Sequence, residues 1–217
     1  MIERDIAGAT QAHRRLLDTI DGLTDHQARA ASSLAGWTVG HVLTHLARNA
    51  DSHVRLIDGA ARGEVWDQYV GGIEGRAAEI EAGAARPAAE LVDDVRTSGA
   101  ALEARWARVW TEPTPVAWSG HGLGAIAGPI PIDDLPFRRW REVEVHHADL
   151  GLGFGPSDWS AEYVRLELNR QTMTWSSRRP MGLTELPPLA LALPPHHRLA
   201  WLLGRLDAAG LPAAGVF

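Results

Sequence analysis

The sequence predicts a mainly α-helical protein, in which a four- or five-helix bundle is followed by a small α+β tail. Two observations support this fold class. Apolar residues recur at helical spacing through 2–21 and 38–60, and an alanine-rich stretch of the same character covers 72–110. Proline and glycine gather between the periodic stretches, at 111–133 and 151–156, where loops are expected.

The first helices have recognisable start and stop signals. Residues 2–21 are predicted to form an amphipathic helix that Gly22 ends. The segment Thr24-Asp25-His26-Gln27 resembles a capping box, so a short second helix is expected to follow. A long third helix is predicted over about 38–60, directly after Gly36-Trp37. Its apolar stripe consists of Val39, Val42, Leu43, Leu46, Ala50, Val54 and Ile57.

The patterns continue in the second half of the bundle. One or two helices are predicted within 72–110, with a break near Arg86-Pro87 because proline removes a helical hydrogen bond. Residues 111–133 are predicted to be a loop with room for short strands. Asp133-Asp134 then caps a helix of about 134–150.

The Gly- and Pro-rich segment at 151–156 is the predicted domain boundary. It separates a helical domain, 1–155, from a small α+β domain, 156–217. Within the second domain the patterns predict helices at 159–177 and 196–209 and a short strand at 189–193.

The composition excludes several classes of protein. A net charge of −6 argues against nucleic-acid binding, and no apolar run approaches the roughly 20 residues that span a bilayer. The chain lacks cysteine, so any metal must be bound by histidine and carboxylate. All 21 basic residues are arginine, so arginine must bind any anionic substrate. With no secretory signal at the N-terminus, we expect a cytoplasmic protein.

A cluster of titratable residues lies in the helix predicted over 134–150. At about 100° per residue, Glu142, His146 and Asp149 fall on one narrow stripe with apolar residues on both sides. Glu144 points the opposite way, toward an expected solvated face. Burying such a stripe is costly unless its polar groups are satisfied, and a divalent metal would satisfy them. An exposed Glu–His pair is the alternative interpretation.

A third metal ligand must come from another helix, and the third helix offers three histidines. His53 lies nearest the apolar stripe, so spacing alone prefers it, although a core histidine bonded to a carbonyl is its more usual state. His45 lies roughly 130° from the centre of the stripe, where it could face a cleft between helices. His41, one turn earlier, is a candidate fourth ligand.

Three segments resemble motifs of the mycothiol-dependent maleylpyruvate isomerase family. They are Gly36–Leu46 (GWTVGHVLTHL), Gly71–Glu81 (GGIEGRAAEIE) and Trp140–Gly151 (WREVEVHHADLG). The family belongs to the wider DinB-like superfamily of metal-dependent, often thiol-using helical proteins. The resemblance covers about 1–155 and continues weakly through Leu199–Arg205.

The resemblance implies a fold and a site. The expected fold is a DinB-like antiparallel four-helix bundle with zinc in a cleft, followed by a small C-terminal domain that closes over it. By position, the family's zinc ligands correspond to His45, Glu142 and His146. On this resemblance His45, and not the His53 preferred by spacing, is the expected third ligand. The residues on the substrate side correspond to Arg76 and Arg205.

The resemblance also implies a reaction. Zinc stabilises the thiolate of mycothiol, the thiolate adds to the cis double bond of maleylpyruvate, and rotation followed by loss of thiolate gives fumarylpyruvate. The expected partners are therefore a small anionic substrate and a low-molecular-weight thiol, with the protein a monomer or homodimer. A mycothiol S-transferase and a non-catalytic metal- or ligand-binding bundle are the alternatives. Another divalent metal could replace zinc, because a His₂-carboxylate set accepts several ions.

Some roles stay open on the sequence alone. Asp149 could orient a ligand imidazole or could cap the helix, and His147 is expected to pack or lie on the surface. Arg76 could instead be an exposed arginine that pairs with Glu79 or Glu81. Arg205 could pair with Asp207 or with a carbonyl at a helix C-terminus.

Overall fold

A computed structural model describes residues 1–111, 116–126, 128–178 and 184–214 of the chain. The secondary structure of these residues is mainly helical, as predicted, with two short strands. The elements are α1 Ile2–Ile20, α2 Asp25–Arg29, α3 Val39–Ala61, α4 Gly72–Ala84, α5 Ala88–Thr111, α6 Val116–Ser119, β1 His121–Gly124, β2 Gly128–Pro131, α7 Leu135–Asp149, α8 Ala161–Ser176, α9 Pro188–Ala192 and α10 Pro195–Leu202. None of the helices in the described ranges is long and apolar enough to cross a bilayer.

The chain divides into two units, a bundle unit of Met1–Gly153 and a C-terminal unit of Phe154–Phe217. We keep the predicted domain limits, 1–155 and 156–217, as a proposal. In the bundle unit α3 packs against α5, α4 and α7, while α1 packs against α7 and α5. The helical bundle is therefore confirmed. Its largest fully buried side chains include Leu16, Ile20, Leu43, Leu46, Leu56, Ile57, Leu91, Leu102, Trp106 and Phe137.

Two capping boxes position the N-termini of α2 and α3. The predicted box between Thr24 and Gln27 is present, with reciprocal side chain to backbone contacts. A second box opens α3, where Thr38 is the N-cap and the ring of His41 takes the part of the usual acid or amide. The backbone N–H of Thr38 donates to Nδ1 of His41 at 3.1 Å. Because the start of α3 is held in this way, the direction of its later side chains is defined.

The predicted break between α4 and α5 is also confirmed, since α4 ends at Ala84 and Pro87 precedes α5. Helix α4 lies very close to α3. A Cβ added at Gly40 would lie 2.1 Å from the carbonyl oxygen of Ala84, so only glycine allows the two backbones to approach this closely. This contact brings α4 beside the first half of α3.

The predicted strands within 111–133 are found as the hairpin of β1 and β2, although residues 112–115 and 127 lie outside the described residues. The strands are antiparallel, with His121 opposite Pro131. The hairpin also binds the loop before α4. The backbone N–H of Gln68 donates to the carbonyl of Leu123 at 2.7 Å, and that of Leu123 to the carbonyl of Trp66 at 2.9 Å.

The C-terminal unit differs from its prediction in two elements. The short strand expected at 189–193 is wrong, because Pro188–Ala192 forms α9. Proline at the first helical position already has a helical φ and has no N–H to satisfy, so Pro188 favours a helix start. The predicted helix at 196–209 is also shorter, ending at Leu202. This unit has its own apolar core of Trp175, Leu186, Ala190, Trp201, Leu202 and Ala214.

Candidate metal centre

Helices α3 and α7 bring His45, Glu142 and His146 together inside the bundle unit. One possible ligand atom from each lies within 4.8 Å of the others. Nε2 of His45 is 2.9 Å from Oε2 of Glu142, and Nε2 of His146 is 3.4 Å from the same oxygen. The two imidazole rings meet edge to face with their centroids 4.6 Å apart. In the part of the chain that the structure describes, no other set of three His, Asp or Glu side chains converges in this way.

The spacing of these three atoms suits a divalent ion. Ligands at about 2.0–2.2 Å from a tetrahedral zinc ion lie roughly 3.3–3.6 Å from one another. The separations of 2.9 and 3.4 Å come close to that spacing. The side chain of Glu142 is 25% exposed, so the group can be reached from solvent. The residues present therefore fit a metal with three protein ligands and an open side.

The electrostatics of the group also suit a metal. Burial lowers the pKa of His45 to about 4, although the hydrogen bond with Glu142 opposes this shift. A neutral imidazole, which metal binding requires, is thus its normal state. Burial alone would raise the pKa of Glu142, but hydrogen bonds from His146 and His45 outweigh that effect and hold it well below its ordinary value. Glu142 is therefore a carboxylate.

His146 is held by a carboxylate on its other nitrogen. Its Nδ1 lies 2.8 Å from Oδ2 of Asp149, which is 1% exposed. Because an ionised carboxylate only accepts, Nδ1 of His146 carries a proton and donates it to Asp149. Burial lowers the pKa of His146, but the hydrogen bonds with Asp149 and Glu142 more than reverse that effect and raise it. The geometry supports the orienting role of Asp149.

His45 has a donor, not an acceptor, beside its Nδ1. Nη2 of Arg76 lies 3.1 Å from its Nδ1. A guanidinium only donates hydrogen bonds, so Nδ1 of His45 must accept and its proton must lie on Nε2. That Nε2–H then donates to Glu142. The ring of Trp37 meets His45 edge to face at 5.8 Å and forms one wall of the group.

Arg76 reaches this position from α4. Its guanidinium also lies over the ring of Tyr69, 5.9 Å from the centroid. Burial raises the pKa of the Tyr69 hydroxyl, and the side chains of Ser52 and Arg76 oppose that shift. No Asp or Glu within the described ranges forms an ion pair with Arg76. The pairing with Glu79 or Glu81 that we considered is therefore absent there, and the positive charge lies beside the ligand group instead.

Glu144 is a clear correction to the sequence prediction. It was expected on a solvated face, but it is 1% exposed. Its Oε1 accepts hydrogen bonds from Arg15 at 2.6 Å and from Nε1 of Trp140 at 3.1 Å. The reason is that α7 packs against α1 on one side and α3 on another, so the face opposite the ligand stripe is an interface. Arg15 supplies the countercharge.

The remaining histidines lie outside the ligand group. His53 is buried and burial lowers its pKa to about 3, but it is not one of the converging residues, so the spacing preference for it was wrong. His41 caps α3, and its Nε2 lies 3.3 Å from Glu81. His147 is buried, with Nε2 2.8 Å from Oγ1 of Thr19, as a packing role predicts.

Arg205 belongs to the C-terminal unit, just after α10. Its Nη1 donates to the carbonyl of Leu203 at 2.8 Å, and its backbone N–H donates to the carbonyl of Ala200 at 2.7 Å. These contacts match the helix C-terminal alternative. A role for Arg205 toward substrate stays a proposal.

Tyr69 and Ser52 are neighbours of the site that the sequence analysis missed. Tyr69 lies in the loop between α3 and α4, where no periodicity marks a residue as buried. Ser52 lies on α3 two turns beyond His45, and its hydroxyl donates to the carbonyl of Asn49 at 2.7 Å. A serine in the middle of a helix carries no signal that distinguishes this arrangement from a solvent-facing one.

Comparison with known proteins agrees with the fold. The family model described as the mycothiol maleylpyruvate isomerase N-terminal domain matches residues 9–151. A crystal structure of the mycothiol-dependent maleylpyruvate isomerase superposes with a TM-score of 0.79 at 24% identity, covering 94% of this chain and 90% of that chain. A crystal structure of a histidine-to-alanine mutant superposes with a TM-score of 0.73 at 26% identity, covering 82% and 72% respectively.

No protein of curated function matches the chain. The family model nevertheless covers most of the bundle unit, from α1 to the end of α7, and includes all three residues of the ligand group. The chain belongs to the mycothiol maleylpyruvate isomerase family.

Proposed function

We propose that this chain is a metal- and mycothiol-dependent isomerase that converts maleylpyruvate, or a similar cis-unsaturated diacid, into its trans isomer. The observation that carries the proposal is the convergence of His45, Glu142 and His146 beside the guanidinium of Arg76. Family membership over residues 9–151 supplies the reaction class.

His45, Glu142 and His146 would hold zinc or another divalent ion and leave at least one coordination position open. When bound, such an ion favours the thiolate form of a thiol, which is the reactive form. The chain has no cysteine, so the thiol must come from a small molecule. Mycothiol is the thiol that the family uses. Mycothiol would supply the sulfur that adds to the double bond and later leaves.

Arg76 would bind the anionic substrate. A guanidinium offers two parallel donors to one carboxylate, which fixes the orientation as well as the position of the bound group. Its side chain lies against Tyr69, so the guanidinium is supported from one side. We also propose Arg205 as a second anchor for substrate, on the family resemblance.

A mycothiol S-transferase is the second candidate function. The family match ends at residue 151, so the C-terminal unit, which is expected to contact the substrate, lies outside it. The same metal and thiol could therefore serve another electrophile. A non-catalytic bundle that binds a metal or a ligand would use the same group without turnover.

Product analysis separates these functions. The purified chain, loaded with zinc, is incubated with maleylpyruvate and mycothiol, and the products are identified by proton NMR and mass spectrometry. We expect a trans diacid and an undiminished amount of free thiol, with no reaction when mycothiol is omitted. A stable thiol conjugate would support the transferase. No consumption of substrate in any condition, with zinc bound, would contradict the proposed isomerase.

A further inference from the structure

The two histidines of the ligand group have opposite kinds of partner on Nδ1. Asp149 accepts from Nδ1–H of His146, so a metal at Nε2 of that ring would leave this contact intact. Arg76 donates to Nδ1 of His45, which puts the proton of that ring on Nε2. Metal binding at Nε2 is therefore compatible with the Nδ1 contact of His146 but not with that of His45.

A metal bound to Nε2 of His45 requires its proton to lie on Nδ1. The Nδ1–H of His45 would then lie 3.1 Å from the N–H of Arg76. Both groups are donors, so they would repel each other and no hydrogen bond could form. The contact with Arg76 and metal binding at Nε2 therefore exclude one another.

We propose that Arg76 is a positioning residue that holds His45 in the tautomer unable to bind metal, and that metal binding displaces its guanidinium from His45. This inference rests on the proposed metal site. Tyr69 provides the place to which the guanidinium turns, because Arg76 already lies over its ring. Tyr69 is itself buried.

A consequence follows for anionic ligands. An anion that binds Arg76 removes its donor from His45 and so favours the metal-binding tautomer. Metal binding in turn releases Arg76 for the anion. Coupling of two binding events is reciprocal, so each ligand tightens the other by the same factor. The same arginine thus links metal loading to substrate binding.

Nitrogen-15 NMR of the imidazole rings tests the tautomers directly. In metal-free protein at pH 8 we expect His45 with its proton on Nε2 and His146 with its proton on Nδ1. After addition of zinc alone, the proton of His45 should move to Nδ1, while His146 keeps its proton on Nδ1 and serves as the internal control. A proton on Nδ1 of His45 before zinc is added would overturn the inference.

Zinc affinity gives a second readout. Arg76→Ala removes the competing donor, so we expect zinc to bind about tenfold to a hundredfold more tightly. This factor corresponds to the free energy of one charge-assisted hydrogen bond. Arg29→Ala removes the same charge from an exposed position and should leave zinc affinity unchanged. Unchanged or weaker zinc binding by Arg76→Ala would contradict the inference.

Maleate completes the test as an anionic probe. It should tighten zinc binding by the parent protein and have no such effect on Arg76→Ala. If zinc binds and shifts the Nε2 resonance of His146 but His45 keeps its proton on Nε2, this inference alone is overturned. Absence of zinc binding in the parent and in Arg76→Ala overturns the proposed metal site together with it.

Discussion

The substitution Asp149→Asn tests how His146 is prepared for metal binding. Oδ2 of Asp149 accepts the Nδ1–H of His146 at 2.8 Å, so Nε2 is the nitrogen that can bind a metal. An asparagine oxygen accepts this bond without a negative charge, which lowers the basicity of the ring. Its amide can also rotate and donate to Nδ1, which would put the proton on Nε2 and block the ligand atom.

The size of the effect follows from the burial of Asp149. Losing a carboxylate that orients a metal-binding histidine typically lowers metal affinity by about 10- to 100-fold, or roughly 1.4–2.7 kcal/mol. Asp149 is 1% exposed, so solvent screens its interaction with His146 very little. We therefore expect a loss in the upper part of this range.

The assay is competition for zinc between the protein and a chromophoric chelator at pH 8. Glu144→Gln is the matched control, because Glu144 is a buried carboxylate on the same helix that pairs with Arg15 and lies outside the ligand group. Its zinc affinity should equal that of the parent. Parental zinc affinity in Asp149→Asn would refute the argument that Asp149 prepares His146.

Three further predictions concern folding. Glu144→Ala should lower the unfolding free energy by about 1–3 kcal/mol in urea denaturation, because the partly exposed Arg15 keeps water while the buried Nε1 of Trp140 loses its hydrogen bond to Glu144; parental stability would contradict this. Gly8→Ala places a Cβ 2.4 Å from Cε3 of Trp140, so we expect overpacking to lower the unfolding free energy by about 1–3 kcal/mol in the same assay. A gain in stability would show that α1 and α7 can move apart freely. Burial lowers the pKa of His13 from 6.5 to about 4, so the unfolded chain takes up this proton first as the pH falls. The unfolding free energy should be independent of His13 above pH 6.5 and should fall by up to about 1.4 kcal/mol per pH unit between pH 6.5 and 4. His13→Gln should reduce this slope. Equal slopes in the parent and the variant would contradict the prediction.

Local signals in the sequence were sufficient for most of the bundle. The capping box at Thr24, the break at Pro87 and the apolar periodicity of α3 each depend on neighbours along the chain, and all three were confirmed. The convergence of Glu142 and His146 with His45 was anticipated only through the family resemblance, because spacing on one helix does not reveal which face meets another helix.

The errors have the same origin. Glu144 lies opposite the ligand stripe of α7, and a face opposite a buried stripe is exposed only when no other helix covers it. Here α1 covers it, and Arg15 neutralises the buried charge. His53 lies on the stripe of α3 that faces the bundle core, whereas His45 faces the interface with α7. Both errors depend on contacts between helices that are distant in the sequence, and the periodicity of one helix gives no information on such contacts.

The central claim is that His45, Glu142 and His146 bind one metal ion, and metal content tests it most directly. The parent, His45→Ala and the exposed-surface control His26→Ala are expressed without a polyhistidine tag, purified identically and analysed by inductively coupled plasma mass spectrometry. We expect about one zinc ion per chain in the parent and in His26→Ala, and little in His45→Ala. Equal metal content in all three proteins, or none in the parent after zinc is supplied, would contradict the claim.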